Sequence, residues 1–310
     1  MFPIRHTRKE IRVTGLQRSG NHAIINWIRR QAGNDTLFFN DVDPERPFEI
    51  ERMPKAERDQ EPRGSYDCVI YSYEDRVLEL INRKTFYPQT NPFGIEADQR
   101  FDVVIYRNPF NSFASRLKHN VVSSAMATYI SGLNLPELWL TYAYEATGRT
   151  THMTQPRVVV NYDRWCTSKE YRRKVAERLE LSFTDEGFNE ITAFGDGSSF
   201  DKTSFDSQAS KMQTDQRWKA FADDPAYVSL FADRQITDLA LELFPIDDEL
   251  RDYIETTIQP TQSRLASAKR QVTIALLPGL MASARDSALA KRLYLSLFRP
   301  LRQFIIARRS

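Results

Sequence analysis

Two short stretches hold residues whose types and spacing could do chemistry. The first is GLQRSGNH, residues 15–22, in which Gly15 and Gly20 enclose four residues, the spacing of a phosphate-binding glycine loop. Asn21 and His22 stand where a nucleotide triphosphatase carries Lys and then Ser or Thr. At a strand-to-helix turn the backbone amides of Ser19, Gly20, Asn21 and His22 are expected to be open donors, and the helix dipole adds to their preference for an anion. Arg18 contributes a fixed positive charge and Ser19 a hydroxyl. The competing reading is a turn that carries glycine for geometry alone.

The second stretch is VVIYRNPFNSFASRLKHN, residues 103–120. A buried strand delivers Arg107 to its carboxyl end, and Asn108-Pro109 then opens a helix. Arginine offers a planar fork suited to phosphate, although a carboxylate would satisfy it equally. Ser115 lies eight residues after Arg107, two turns into the helix, where a serine has no capping task and a ligand contact is a reasonable use.

Both stretches need a frame that brings strand ends together. Apolar, β-branched runs at Ile11–Thr14, Cys68–Tyr71, Val103–Tyr106 and Val158–Val160 predict buried strands. Helical patterns follow each of them, at Asn21–Arg30, Arg76–Asn82, Pro109–His119 and Ser168–Leu179. Strands alternating with helices predict an α/β fold in three layers, α/β/α, around a parallel sheet. Ligands of such sheets bind at the carboxyl ends of the strands, where both stretches fall. The charged, proline-bearing run Asn40–Gly64 and the polar run Phe194–Ser207 read as long loops of functional rather than accidental length.

Composition fits a globular chain of 310 residues, 41% hydrophobic and 27% charged, without repeats or low-complexity blocks. Cys68 and Cys166 lie in or beside apolar runs and read as small buried residues, with no metal-binding spacing. No apolar run reaches the length of a membrane span, and the basic start leads into a strand rather than a signal core, so a cytoplasmic protein is expected. The net charge of +2 hides an asymmetry. Residues 260–310 hold ten Lys or Arg against Asp286 alone, leaving 33 basic and 40 acidic residues in 1–259. This predicts a main domain, 1–259, and a basic amphipathic helical extension, 260–310. Leu289, Leu293, Leu297 and Leu301 recur in the extension at helical spacing; it either packs on the domain or a second subunit, or meets an anionic membrane or acidic partner. Nucleic acid is not an expected partner, because the basic residues are confined to this tail.

Taken together, Arg18-Ser19-Gly20 and Arg107-Asn108-Pro109 with Ser115 resemble the two donor-binding motifs of the sulfotransferases that use 3′-phosphoadenosine 5′-phosphosulfate (PAPS). VVVNYDRWCTSKEYRRKVAERLEL, residues 158–181, is similar to a later strand, turn and helix of that family. The resemblance covers roughly residues 10–220. It implies a P-loop-like sulfotransferase fold and a metal-independent transfer of a sulfuryl group to a hydroxyl or amine. It implies that Arg18, Ser19, Gly20, Asn21 and His22 hold the 5′-phosphosulfate. Arg18 would stand in for the family's lysine as a charge clamp, since arginine gives up no proton. It implies that Arg107 and Ser115 hold the 3′-phosphate, with Lys211 and Arg217 of SFDSQASKMQTDQRWKAF, residues 204–221, as substitutes for a late basic loop; a solvated helix face would explain those two as well. The general base is expected at the end of the second predicted strand, Glu74 first and Asp75 second, although a helix N-terminal acid pair is the competing reading. His22 is either a donor ligand or a helix-surface residue, and His119 and His152 read as structural. Asp41, Asp43 and Glu45 of the long loop would attract a cationic or polyhydroxylated acceptor, a small polar natural product or a sugar, although a solvated charged loop is the competing reading. Two other classes remain open: an atypical P-loop kinase or nucleotide triphosphatase, and a non-catalytic nucleotide-binding module that docks through its tail.

Overall fold

In a computed structural model of the chain, the residues described are 5–42, 64–81, 95–119, 132–191, 198, 200–201 and 203–267. Five strands form one sheet: β1 (His6–Gly15), β2 (Thr36–Phe39), β3 (Ser65–Glu74), β4 (Glu96–Tyr106) and β5 (Arg157–Asn161). Their order is β2-β3-β1-β4-β5, and every neighbouring pair is parallel. The fold is therefore α/β, as the alternation of strands and helices predicts. β1 lies at the centre, with β3 and β4 on its two sides. The loops that leave the carboxyl ends of these three strands consequently meet.

Strand alternation builds the core. Ile11 and Val13, Cys68 and Ile70, Val103 and Ile105, and Val158 and Val160 point to one face of the sheet. There they meet α1 (Asn21–Ala32) through Ile24, Trp27 and Ile28, and α6 (Lys169–Arg178) through Val175 and Ala176. Each large side chain buried in this layer contributes about 1.5–3 kcal/mol. The alternate residues Arg12, Thr14, Tyr71, Tyr73 and Val104 are equally buried. On that side α4 (Leu135–Ala146) packs on β4, and its Tyr142 hydroxyl donates to Arg76 O at 2.9 Å.

β1 begins five residues before its apolar run, because its charges are answered inside the sheet. Arg12 Nε and Nη2 donate to Asp102 of β4 at 2.6 and 2.9 Å. Glu10 accepts from Tyr71 Oη at 2.5 Å and from Arg100 Nε at 2.9 Å. Burial still raises the Glu10 carboxyl above its ordinary range. Parallel strands buried on both faces usually read as apolar runs, so such pairs hide a strand's start from the sequence. The short edge strand β2, TLFF, was not among the predicted strands.

The remaining helices are α2 (Leu78–Ile81), α3 (Pro109–Lys118), α5 (Tyr162–Thr167), α7 (Pro225–Ser229) and α8 (Arg234–Leu243). Asn108 caps α3, its side chain accepting from Phe110 N at 3.0 Å, and Pro109 occupies the first turn. Ser168 caps α6 in the same way, accepting from Tyr171 N at 3.1 Å.

The chain divides into two compact units, Met1–Ile246 and Asp247–Ser310. In the second, Asp247 caps α9 (Asp248–Tyr253), which widens into a π turn at Ile254–Ile258. The amphipathic run after residue 267, Asp43 and Glu45 of the long charged loop, and residues 194–197, 199 and 202 of the polar run Phe194–Ser207 lie outside the described residues. No helix among the described residues is long and apolar enough to cross a membrane.

Candidate active site

The turn Leu16–Gly20 joins β1 to α1 and takes the form of a cradle. Ser19 N donates to Leu16 O at 3.1 Å, so this amide is spent within the turn rather than offered to a ligand, a correction to the expected set of donors. Ile24 N is the first amide to return within the helix, to Gly20 O at 3.1 Å. As at the start of any α-helix, the first-turn amides before it have no acceptor within the helix; among the described residues no side chain caps it, and its first turn holds no acid. Such an end favours an anion.

Two positions of the turn lie in the left-handed region. Gly20 has φ 88°, and a Cβ there would sit 2.1 Å from Cε2 of Tyr162. No other residue type fits. Arg18, at φ 66°, is strained by about 1–2 kcal/mol, so its surroundings must fix it. Asn21 binds the turn from the helix side: its Nδ2 donates to Leu16 O at 3.0 Å and to Glu74 Oε1 at 2.8 Å. Its Oδ1 rests against Gly15, where a Cβ would come within 2.1 Å.

Arg107 leaves the end of β4 and is 1% exposed. Its Nη1 donates to Arg18 O at 3.0 Å and to Ser115 Oγ at 3.4 Å, and its Nη2 donates to Thr214 O at 2.8 Å. Its guanidinium lies 4.7 Å from the ring centroid of Tyr162, the ring that also covers Gly20. From the late segment, Arg217 Nη1 donates to the same Ser115 Oγ at 3.1 Å, and its Nη2 donates to Ser198 Oγ at 2.9 Å. Asp201 Oδ2 lies 3.5 Å from Arg217 Nη2. Burial, reinforced by the charge of Arg107, pushes the Arg217 guanidinium down to about 10. The Nε–H of both arginines is buried and meets no hydrogen-bond acceptor among the described residues. Two buried guanidiniums around one hydroxyl, each with an orphaned donor, form a site that suits an anion.

Ser115 differs from expectation in one respect. It is fully buried, donates to Asn111 O at 2.8 Å and accepts from both arginines. Its hydroxyl is the node that gathers the two forks. Lys211 and Arg217, expected to act together, part company. Lys211 is exposed and donates to Gln208 Oε1 at 2.6 Å, so the structure does not join it to the arginine pair.

The two adjacent acids at the end of β3, Glu74 and Asp75, also separate. Asp75 is buried and its carboxylate takes both Nη atoms of Arg116, at 2.8 and 2.9 Å, while Oδ1 accepts from Gln17 N at 3.0 Å. That engagement makes Asp75 a part of the frame and removes the physical basis for its use as a base. Glu74 lies on the other side of the strand end. It accepts from Asn21, lies 3.9 Å from His22 Nε2, and keeps 13% of its side-chain surface. Burial raises its carboxyl above the ordinary range, with His22 and Asn21 acting in the opposite direction. His22 pairs with Asn40 Oδ1 at 2.9 Å, which turns the imidazole toward the Glu74 side.

Three contributors escaped the sequence reading. Tyr162 supplies the ring between Gly20 and Arg107. Asp163 Oδ2 accepts from Asn108 N at 2.8 Å and so anchors the Arg-Asn-Pro turn. Arg116 ties helix α3 to the cradle. The signal for the first two was the NYD following the fourth apolar run. Among the described residues, no group of three or more His, Cys, Asp or Glu is placed to hold a metal ion.

No family model matches the chain, and no curated protein matches it. Among solved structures, it is similar to mouse sulfotransferase SULT7A1 complexed with PAP, at 11% identity and a TM-score of 0.37, over 82% of this chain and 91% of that one.

Proposed function

We propose that the protein is a sulfotransferase that moves a sulfuryl group from PAPS to a hydroxyl or amine of a small polar acceptor, with no metal ion. The observation that carries this reading is the meeting of Arg107 and Arg217 on Ser115, directly behind the Leu16–Gly20 cradle. Two anion sites on one frame suit a nucleotide phosphorylated at two separate positions. The arginine pair takes the 3′-phosphate and the cradle takes the 5′-phosphosulfate.

In the reaction the acceptor oxygen or nitrogen attacks sulfur, and the bond from sulfur to the 5′-phosphate oxygen breaks. The electron pair leaves with that phosphate oxygen. Arg18 and the uncapped amides of α1 stabilise its growing charge, a contribution for which the loss of one preorganised donor typically costs about 10²–10³ in rate. Glu74 takes the acceptor proton, and its raised carboxyl suits a base that works near neutrality. His22, held by Asn40, orients on the same side and contributes a hydrogen bond to the acceptor or to the departing oxygen. The absence of a Ser or Thr after Asn21 is consistent with a donor that carries no magnesium-bound triphosphate. The acceptor is a polar natural product or sugar, and the protein works in the cytoplasm.

The test is calorimetry of adenosine 3′,5′-bisphosphate binding to the full chain in EDTA. Micromolar or tighter binding is expected, weakened at least tenfold by Arg107→Ala. No binding to the wild type, or unchanged binding to the variant, overturns the assignment.

A further inference from the structure

Three consecutive features of the cradle are held from outside it. Gln17 N donates to Asp75 Oδ1 at 3.0 Å, Gln17 O accepts from Arg116 Nη1 at 3.2 Å, and Arg18 O accepts from Arg107 Nη1 at 3.0 Å. Both peptide groups flanking Gln17 are therefore gripped by a single ion pair, and the next carbonyl is gripped by the arginine of the second motif. In that ion pair, Arg116 is fully buried and Asp75 is 4% exposed in side-chain surface. The two meet through two parallel bonds of 2.8 and 2.9 Å. Asp75 N also donates to Gly15 O at 3.2 Å, so the pair is anchored to β1 where the turn begins.

In a trans peptide the C=O and N–H point opposite ways, and the chain contains no cis peptide among the described residues. Holding Gln17 O toward Arg116 therefore turns Arg18 N to the other side, away from α3. Arg18 itself sits at φ 66°, a conformation that a non-glycine residue keeps only where its neighbours over-determine it. Arg116 and Ser115 are successive residues of α3. The element that gathers the arginine pair is thus the same one that sets the cradle.

We propose that Asp75 and Arg116 are positioning residues that preset the Leu16–Gly20 turn for an anion and lock its geometry to the arginine site through α3. The pair touches no reacting atom. It acts by fixing the peptides of the turn before a ligand arrives. This inference rests on the reading of the turn as the 5′-anion site and of Arg107 and Arg217 as the 3′-phosphate site.

The experiment compares the wild type, Asp75→Asn and the double variant Asp75→Leu/Arg116→Met. Replacing both partners of a buried pair with apolar residues commonly preserves stability where removing one does not, so the double variant guards against simple unfolding. Each protein is titrated with adenosine 3′,5′-bisphosphate and with adenosine 3′-monophosphate, which reaches only the arginine site. Asp75→Asn and the double variant are expected to bind the bisphosphate at least tenfold more weakly and the 3′-monophosphate within about twofold of wild type. A double variant that regains wild-type Tm and also wild-type bisphosphate affinity shows that the pair merely supports the fold, and overturns the proposal. Amide hydrogen exchange across residues 15–21 reads the turn without any nucleotide. It is expected to quicken about tenfold in the double variant while β4 keeps its protection, and unchanged exchange overturns the proposal. A wild type that binds neither nucleotide would instead remove the nucleotide reading, and the exchange comparison would then decide the positioning role alone.

Discussion

Arg107 and Arg217 reach one hydroxyl, Ser115 Oγ, from elements 110 residues apart in sequence, at 3.4 and 3.1 Å. Like charges are driven together here, and Asp201, at 3.5 Å from Arg217, compensates them only in part. The arrangement is costly to the bare fold and useful to an anion. Arg217→Met is therefore expected to raise stability by about 0.5–2 kcal/mol and to weaken adenosine 3′,5′-bisphosphate binding at least tenfold. Thermal melts with and without the nucleotide check both halves, and a variant that is both less stable and equally tight refutes the idea.

Glycine is required at position 20 for two reasons and at position 33 for one. Both have positive φ, worth about 1–3 kcal/mol on replacement by alanine. Only Gly20 also faces a ring, that of Tyr162 at 2.1 Å from the new Cβ, while Gly33 meets nothing within 4 Å. Gly33→Ala should lower Tm and leave nucleotide affinity within about twofold. Gly20→Ala should lower Tm further and abolish binding, because the displaced ring also lies against Arg107. Calorimetry on the two variants separates backbone strain from damage to the site.

Glu74 gives a pH prediction with a definite sign. Its folded carboxyl titrates above the ordinary value because of burial. The protonated form is thus favoured by the fold: stability from this group is complete below the unfolded pKa and is lost as pH rises through the folded one. Glu74→Gln should therefore raise Tm at neutral pH and flatten its dependence on pH in the acid range. The same change should cut the transfer rate by about 10²–10⁴, with bisphosphate affinity nearly unchanged. In the wild type the rate should fall on the acid side as Glu74 takes up its proton. A variant with full activity would move the base to His22.

The buried pair Arg12–Asp102 supplies a contrast. It spans β1 and β4 within the sheet, with 3% and 0% exposed side chains. Arg12→Met should cost about 3–5 kcal/mol by leaving Asp102 uncompensated, yet the folded fraction should bind nucleotide as the wild type does. Urea denaturation with and without ligand measures both.

The sheet was legible where its strands were apolar on both faces, as in VVIY and VVV, and α3 was legible from Asn108-Pro109. β1 was half-hidden, because Glu10 and Arg12 look exposed until their partners on β3 and β4 are known. At the site, the arginine of the second motif and its serine could be read from spacing, since both lie on one strand–helix unit. The division of labour between Glu74 and Asp75 could not. Glu74 closes β3, whereas the chain turns at Asp75 into the left-handed region, φ 54°, and the two side chains leave in different directions. Which way is decided by Arg116 and Asn21, both distant in sequence. Lys211 and Arg217 show the same limit: six residues apart, one ends in solvent and the other in the core beside Ser115.

The ring of Tyr162, wedged between Gly20 and Arg107, has a consequence for tracing descent. The eight residues GLQRSGNH would not hold their shape if copied into another strand–turn–helix, since what shapes them comes from Asp75, Arg107, Arg116 and Tyr162. Distant kin of this chain are better sought by that scattered quartet, mapped onto the ends of β3, β4 and β5 and onto α3, than by the contiguous string.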